Sequence, residues 1–187
     1  LGNKFYELWL DETMTYSSGM FELPYNNLLE AQINKYNKIT EPMQLNENSN
    51  ILEIGCGWGG FSIYVAKKFG SKVNAITISK KQYEYTLKKI KNESLNEKIS
   101  VQLKDYRELK EKYNNIVSIE MFEAVGIKYW KTYFNKIKNC LKTNGVAALQ
   151  IITINEDKRK YYQRNPDFIQ QYIFPGGVLP SKSQLNE

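Results

Sequence analysis

The stretch Ile51–Gly60, ILEIGCGWGG, runs from an apolar, strand-like segment through a glycine cluster directly into a helical pattern. At the carboxyl end of a parallel strand, glycines permit a tight turn and a close backbone approach, and the N–H groups that open the next helix are free for a ligand. Glu53 lies inside the strand just ahead of the turn, where it can receive an ammonium group. The second strand ends Ile76-Thr77-Ile78-Ser79, without the acid that would hold the ribose of a dinucleotide. Gly55, Gly57, Gly59 and Glu53 therefore suit an aminoacyl nucleoside without phosphates better than a dinucleotide. The alternative is a tight βα turn that binds nothing, with Cys56 and Trp58 present only for packing.

The 187 residues contain no histidine, which removes the commonest general base and the commonest metal ligand together. Acid–base chemistry falls to carboxylates, tyrosines or a bound small molecule. Two cysteines, Cys56 and Cys140, are too few for a disulfide framework or a zinc site, so a reducing compartment and no metal are expected. The formal charge of +6 is spread through a lysine- and asparagine-rich chain, not gathered among aromatics, which argues against nucleic acid as a partner. No run of 18 apolar residues and no export leader is present, and a cytoplasmic location is expected.

Such a turn needs a sheet to position it. Apolar runs at 50–54, 72–78, 99–104, 115–121 and 146–154 alternate with amphipathic stretches, the pattern of repeated βα units. The stripes Phe61/Val65/Phe69, Tyr83/Leu87/Ile90 and Trp130/Phe134/Ile137/Leu141 place one apolar face per helix on the sheet, and Gly70 and Gly145 punctuate the returns to strand. The expected fold is a doubly wound, mainly parallel α/β sheet over residues 46–187. Residues 1–45 carry two further stripes, Phe5/Leu8/Trp9 and Leu29/Ile33/Tyr36. Three readings fit that segment: a lid over the site, a lipid-facing surface, or packing against the sheet. A fifth strand left as an apolar edge leads to the expectation that the sheet continues in strands beyond residue 187.

ILEIGCGWGG together with TMTYSSGMF, ITISKKQ, LKDYREL, NIVSIEMFEAVG and YIFPGGVLPS, in this order, resembles the cyclopropane-fatty-acyl-phospholipid synthases and the related mycolic acid cyclopropane synthases. The resemblance implies a Rossmann-like sheet of the class I S-adenosylmethionine-dependent methyltransferase type and S-adenosylmethionine as methyl donor. Cofactor contacts carry over to Tyr16 and Ser17, to Glu53, Gly55, Gly57, Trp58 and Gly59, to Thr77, Ser79 and Gln82, and to Asp105 and Tyr106 beside the adenine. Thr77 and Ser79 as helix caps, and Tyr106 as a core residue, are the plain alternatives.

The implied reaction moves a methyl group onto the cis double bond of an acyl chain in a membrane phospholipid. A base then removes a proton so that a cyclopropane ring closes. The resemblance also implies peripheral contact with the inner face of the membrane and leaves the oligomeric state open. In this family the base is a bound bicarbonate, gripped by the carboxylate that Glu123 matches, which would then carry a raised pKa. A helix N-terminal acid is the alternative reading of Glu123. Glu120 has no role assigned. Three positions depart from the family pattern: Ser18 in place of cysteine, Gln150 in place of histidine, and Ala124 after Glu123 in place of histidine. The Ser18 hydroxyl, the Gln150 amide and the Ile152 N–H can still bond an oxyanion. Impaired proton removal would end the reaction as a methyl or methylene branch. An acceptor channel lined by the N-terminal segment and Phe122 would be long and apolar for a lipid. A small channel would mark an amine N-methyltransferase, and loss of cofactor binding a non-catalytic module.

Overall fold

Alternate residues of a strand face opposite sides of a sheet, so a strand that is apolar throughout needs cover on both faces. The computed structural model describes residues 2–186. Its strands β1 (Asn50–Ile54), β2 (Lys72–Thr77), β3 (Ile99–Leu103), β4 (Tyr113–Ile119) and β5 (Leu141–Gln150) form one sheet in the order β3-β2-β1-β4-β5. All four pairings are parallel. The helices are α1 (Asn3–Tyr6), α2 (Leu28–Thr40), α3 (Gly60–Phe69), α4 (Lys80–Asn92), α5 (Trp130–Cys140), α6 (Glu156–Arg164) and α7 (Lys182–Leu185).

Two cores cover the two faces. Ile51, Val73, Ala75, Val101 and Val117 pack with Tyr36 of α2, Phe61 and Val65 of α3, and Ile90 of α4. Leu52, Ile54, Ile76 and Ile116 pack with Tyr133, Ile137 and Cys140 of α5. The chain winds outward through β1, β2 and β3, then crosses back to place β4 on the other side of β1. The carboxyl ends of β1 and β4 therefore flank the switch point at which open α/β sheets bind ligands. Helix α2 starts on a capping box between Asn27 and Glu30, a device that contributes about 1 kcal/mol.

Several boundaries differ from the sequence expectation. β2 stops at Thr77, and Ile78 is 79% exposed. β4 begins at Tyr113 and stops at Ile119, because Glu120 turns the backbone to φ +48°. β5 begins at Leu141: the register jumps from Tyr113↔Leu141 to Asn115↔Val146, so the intervening residues bulge out, with Asn144 at φ +62° making the turn assigned to Gly145. It ends at Gln150, and Ile151–Ile154 leave the sheet although their apolar pattern continues.

The buried stripe of α5 is Tyr133/Ile137/Cys140, with Phe134 at its edge and Leu141 already in the strand. In α4, Thr86 is fully buried and Leu87 exposed, because α4 approaches the glycine turn so closely that only a small side chain fits. The stripe Phe5/Leu8/Trp9 is not a packed helix face, since α1 is four residues long and these side chains are 44%, 82% and 52% exposed. Of residues 1–45, α2 joins the sheet's core through Tyr36, with Met43 just beyond it, while 5–25 carry exposed apolar side chains. Among the described residues no helix is long and apolar enough to cross a membrane.

Ile116, at the centre of the sheet, and Ile78, just past β2, test this boundary assignment. Ile116→Ala is expected to lower the unfolding free energy by about 2–5 kcal/mol, whereas Ile78→Ala should change it by no more than about 0.5 kcal/mol. Urea titration of the complete protein measures both, and equal losses would contradict the assignment.

Candidate active site

The glycine turn hangs from one acceptor. Gly55 and Cys56 both donate their N–H groups to the Ile76 carbonyl, at 3.0 Å each, so the turn after β1 is tied to the end of β2. Gly55, Gly57 and Gly59 have φ of +81°, +54° and +84°, a region that L side chains rarely adopt. A Cβ on Gly59 would lie 2.6 Å from Thr86 Cγ2, and one on Gly55 would lie 2.8 Å from Met121 Cγ. A Cβ on Gly57 would fill the gap to the Tyr16 ring, 3.3 Å away. Beneath the turn, Glu53 is buried and receives the Ser62 hydroxyl, and it lines a small cavity with Tyr16, Ser17, Gly55 and Gly57. Burial pushes its carboxyl up to about 7. A buried carboxyl facing a cavity beside a turn opened by glycines at 55 and 57 fits the ammonium end of an aminoacyl nucleoside.

An open cleft extends from this turn across the carboxyl ends of the strands. Tyr16, Gly55, Thr77, Gln82, Asp105 and Tyr106 all line it. The Thr77 hydroxyl donates to Gln82 Oε1 at 2.9 Å, which orients that amide. Asp105 accepts from the Arg107 backbone at 2.8 Å and from its guanidinium at 3.0 and 2.6 Å, and this pairing holds its carboxyl below the usual range. The Tyr106 ring meets Tyr133 edge-on at 5.4 Å.

Of the other expected contacts, Trp58 and Ser17 line the small cavity with Glu53 and not the cleft, and Ser79 lines neither. Ser79 caps α4, accepting the Gln82 N–H at 3.4 Å, and does not line the cleft. Trp58 is buried beneath the N-terminal segment, donating its indole N–H to Asn3 at 3.0 Å and packing on Tyr6 and Tyr16. Ser17 is buried and lines only the small cavity, its hydroxyl accepting from Lys35 Nζ at 2.7 Å.

A second, apolar pocket adjoins the cleft. Ile152, Ile169, Phe174, Val178 and Leu179 line it, together with Glu120 and Glu123. Tyr16, Glu120, Ala124 and Phe174 border both spaces. Phe122, expected in an acceptor channel, is instead core: it is 1% exposed and packs on Trp130, Tyr133 and Phe134.

A family profile described as mycolic acid cyclopropane synthetase matches residues 1–187. The chain belongs to that family. A probable fatty acid methyltransferase of Pseudomonas putida is 35% identical over 189 residues, covering 100% of this chain and 48% of that protein. The cyclopropane-fatty-acyl-phospholipid synthase of Escherichia coli strain K12 is 37% identical over 185 residues, covering 99% of this chain and 46% of that protein. The solved structure of mycolic acid cyclopropane synthase CmaA1, complexed with SAH and CTAB, matches with a TM-score of 0.90 at 30% identity, over 99% of this chain and 68% of that one. The chain spans about half the length of the curated relatives it matches.

In this member of the cyclopropane synthetase family, the three departures from the family pattern gather at one place. The Ser18 N–H and the Gln150 Nε2 both donate to Glu120 Oε1, at 2.9 and 2.8 Å, and Ala124 lines the wall beside it. Glu123 Oε1 receives the Ile152 N–H, its Oε2 is buried without a partner, and burial pushes its carboxyl up. The Gln150 Oε1 is also a buried acceptor without a partner. Sequence reasoning missed Glu120 and Lys35. Glu120 carried no signal beyond its place in EMFE. Lys35 was discoverable as a lysine beside Tyr36 on the buried side of α2, where desolvation lowers its ammonium to about 8.

Glu53 generates a pH prediction. A carboxyl raised from 4.5 to about 7 holds its proton more tightly folded than unfolded, so its stabilising contribution is present below about 4.5 and lost as pH rises through about 7. Cofactor-free complete protein should lose stability across that window by on the order of 3 kcal/mol, and Glu53→Gln should flatten the profile. Urea midpoints from pH 4.5 to 8 read it; a wild-type midpoint that climbs through the window contradicts the burial of an uncompensated carboxyl.

Proposed function

We propose that the complete protein is an S-adenosylmethionine-dependent lipid C-methyltransferase. It transfers a methyl(ene) group to the cis double bond of an unsaturated acyl chain in membrane phospholipid, closing a cyclopropane ring. The observation that carries this reading is the junction of the two spaces: a polar cleft fit for an aminoacyl nucleoside opens, past Tyr16, Glu120, Ala124 and Phe174, onto a pocket walled by Ile152, Ile169, Val178 and Leu179. The family membership and the lipid substrates in the relatives' names support it.

When bound, S-adenosylmethionine supplies an electrophilic methyl group. The chain's own residues do the rest. Glu53, the glycine turn and the Thr77–Gln82 pair hold the amino-acid end, and Asp105 and Tyr106 flank the nucleoside end. An alkene is a poor nucleophile, so the rate depends on in-line positioning and on keeping water from a carbocation. The apolar wall serves both needs. The stretch 5–25 ahead of the packed helix α2 acts as a lid on the acceptor side, reaching the pocket through Tyr16, and the exposed Phe5, Leu8, Trp9, Phe21 and Leu23 supply the peripheral membrane contact that a phospholipid substrate at the cytoplasmic face requires.

Two of the three donors expected for a bicarbonate are committed to carboxylates: the Gln150 amide to Glu120 and the Ile152 N–H to Glu123. The Ser18 N–H is likewise given to Glu120, the unpartnered buried atoms nearby are the acceptors Glu123 Oε2 and Gln150 Oε1, and of the expected donor set the Ser18 hydroxyl alone stays uncommitted, which is a poor fit to a small anion.

Mass spectrometry of membrane lipids tests the function. Cells expressing the complete gene and fed labelled methionine should gain one methylene unit on unsaturated acyl chains, with ring and branch separated by cleavage chemistry. Unchanged lipids alongside intact cofactor binding would shift the assignment to a small-amine methyltransferase. Val178→Asp puts a charge in the acyl pocket and should cut lipid alkylation about tenfold or more while leaving cofactor affinity within about twofold; unaffected alkylation would remove this pocket from the acceptor path.

A further inference from the structure

The strand β4 ends on a residue whose backbone and side chain are both committed to one spot. Glu120 holds φ +48°, a conformation that costs a residue with a side chain, and its N–H donates to the Gln150 carbonyl at 2.9 Å. Its side chain reaches back so that Oε1 takes the Ser18 N–H and the Gln150 Nε2, donors 102 residues before it and 30 after it in sequence. Both bonds fall on Oε1; among the described residues no hydrogen bond falls on Oε2. Glu120 also borders both the cofactor cleft and the acyl pocket.

Ring closure needs a base at that border, and the chain has no histidine to serve. Among the described residues, the acidic side chains lining the pocket on that border are Glu120, Glu123 and the Tyr16 and Tyr162 phenols, while Asp105 of the cleft is paired with Arg107 and burial raises the Tyr162 phenol. Burial and neighbouring charge raise Tyr16 and hold it as a phenol, and Glu123 is turned to the Ile152 N–H with its other oxygen buried. We propose that Glu120 is the resident anion of this site and the catalytic base, in place of any bound small anion, so that the enzyme works without bicarbonate. This rests on the proposed alkene methylation. The acceptor's π pair forms the bond to the incoming methyl carbon as the carbon–sulfur bond breaks with its pair left on sulfur, and a cation remains on the neighbouring alkene carbon. Glu120 Oε2 takes one proton from the added methyl group. The freed C–H pair closes the third bond of the ring, and Glu120 returns its proton to water.

Gln150 and Ala124 fit this assignment: the Gln150 amide orients the carboxylate together with the Ser18 backbone N–H, a donor that any residue at that position supplies, and Ala124 keeps the wall beside it free of a second polar side chain.

The test uses the complete protein, Glu120→Gln, which keeps an acceptor for both donors, and Glu120→Gly, which relieves the positive φ and vacates the anion position. In carbon dioxide-free buffer the wild type should keep its full rate and gain nothing from added bicarbonate. Glu120→Gln should lose about 100-fold or more in turnover with unchanged cofactor affinity, and added bicarbonate should restore part of the rate of Glu120→Gly. Titration with 13C-labelled bicarbonate, followed by NMR line broadening, should show binding to Glu120→Gly and none to the wild type. Bicarbonate-dependent wild-type turnover, a fully active Glu120→Gln, or bicarbonate bound by the wild type overturns the proposal. Should the wild type alkylate no lipid at all, the function reading fails separately, and the NMR titration still decides whether Glu120 fills the anion position.

Discussion

One carbonyl holds the site in register. The Ile76 oxygen accepts the N–H groups of both Gly55 and Cys56, and β1 and β2 pair so that Ile54 lies opposite Ile76. The turn is thus fastened to the strand end that also carries Thr77 and the start of α4. Its tightness then dictates its neighbours: Thr86 can be no larger where it meets Gly59, and Thr15 and Tyr36 close over Gly60 so that a Cβ there would lie 2.5 and 2.7 Å from their oxygens. Through Tyr36 the same contact binds α2 to the turn, and with it the segment that delivers Tyr16 and Ser18.

Legibility in the sequence followed locality. The glycine turn and Glu53 were readable because a close backbone approach demands glycine and a buried acid stands out in an apolar strand. All five strands were readable from apolar runs, since parallel strands covered on both faces leave a continuous signal. β1 was readable at both ends, but several of the other ends were not. Ile78 and Ile151–Ile154 continue the apolar run past the point where the hydrogen-bond ladder stops, and the bulge before Val146 hides the true start of β5 at Leu141. One position of each stripe was misplaced by a residue in α4 and α5: Thr86 and Tyr133 turn inward in place of Leu87 and Phe134 because of what they meet, a glycine turn and an aromatic cluster, while Tyr83, Ile90 and Ile137 pack as expected.

The same distinction separates the site residues. Thr77, which ends β2, Asp105 and Tyr106, just after β3, and Gln82, in the first turn of α4, came from the family resemblance, and they line the cleft because a parallel sheet presents its carboxyl ends to its ligand. Ser79, after β2, and Trp58, within the turn itself, are drawn to a helix cap and to the indole partner Asn3. Glu120 depends on Ser18 and Gln150, brought in from distant parts of the chain, and no local pattern announces a left-handed glutamate. Lys35 belongs to the same class. Its ammonium, buried against the Ser17 hydroxyl, sets a positive charge near the two acids, Glu53 and Glu120, that face the proposed cofactor.

The most direct test of the two-space arrangement is a crystal structure of the complete protein with SAH and a non-reactive analogue of an unsaturated phospholipid. Acyl density running between Ile152, Ile169, Phe174 and Val178, with its unsaturated segment beside Glu120 and Tyr16, is the result expected. Acyl density lying elsewhere, for example along the groove between Glu12 and Lys89, with the pocket beside Glu120 closed, would contradict it.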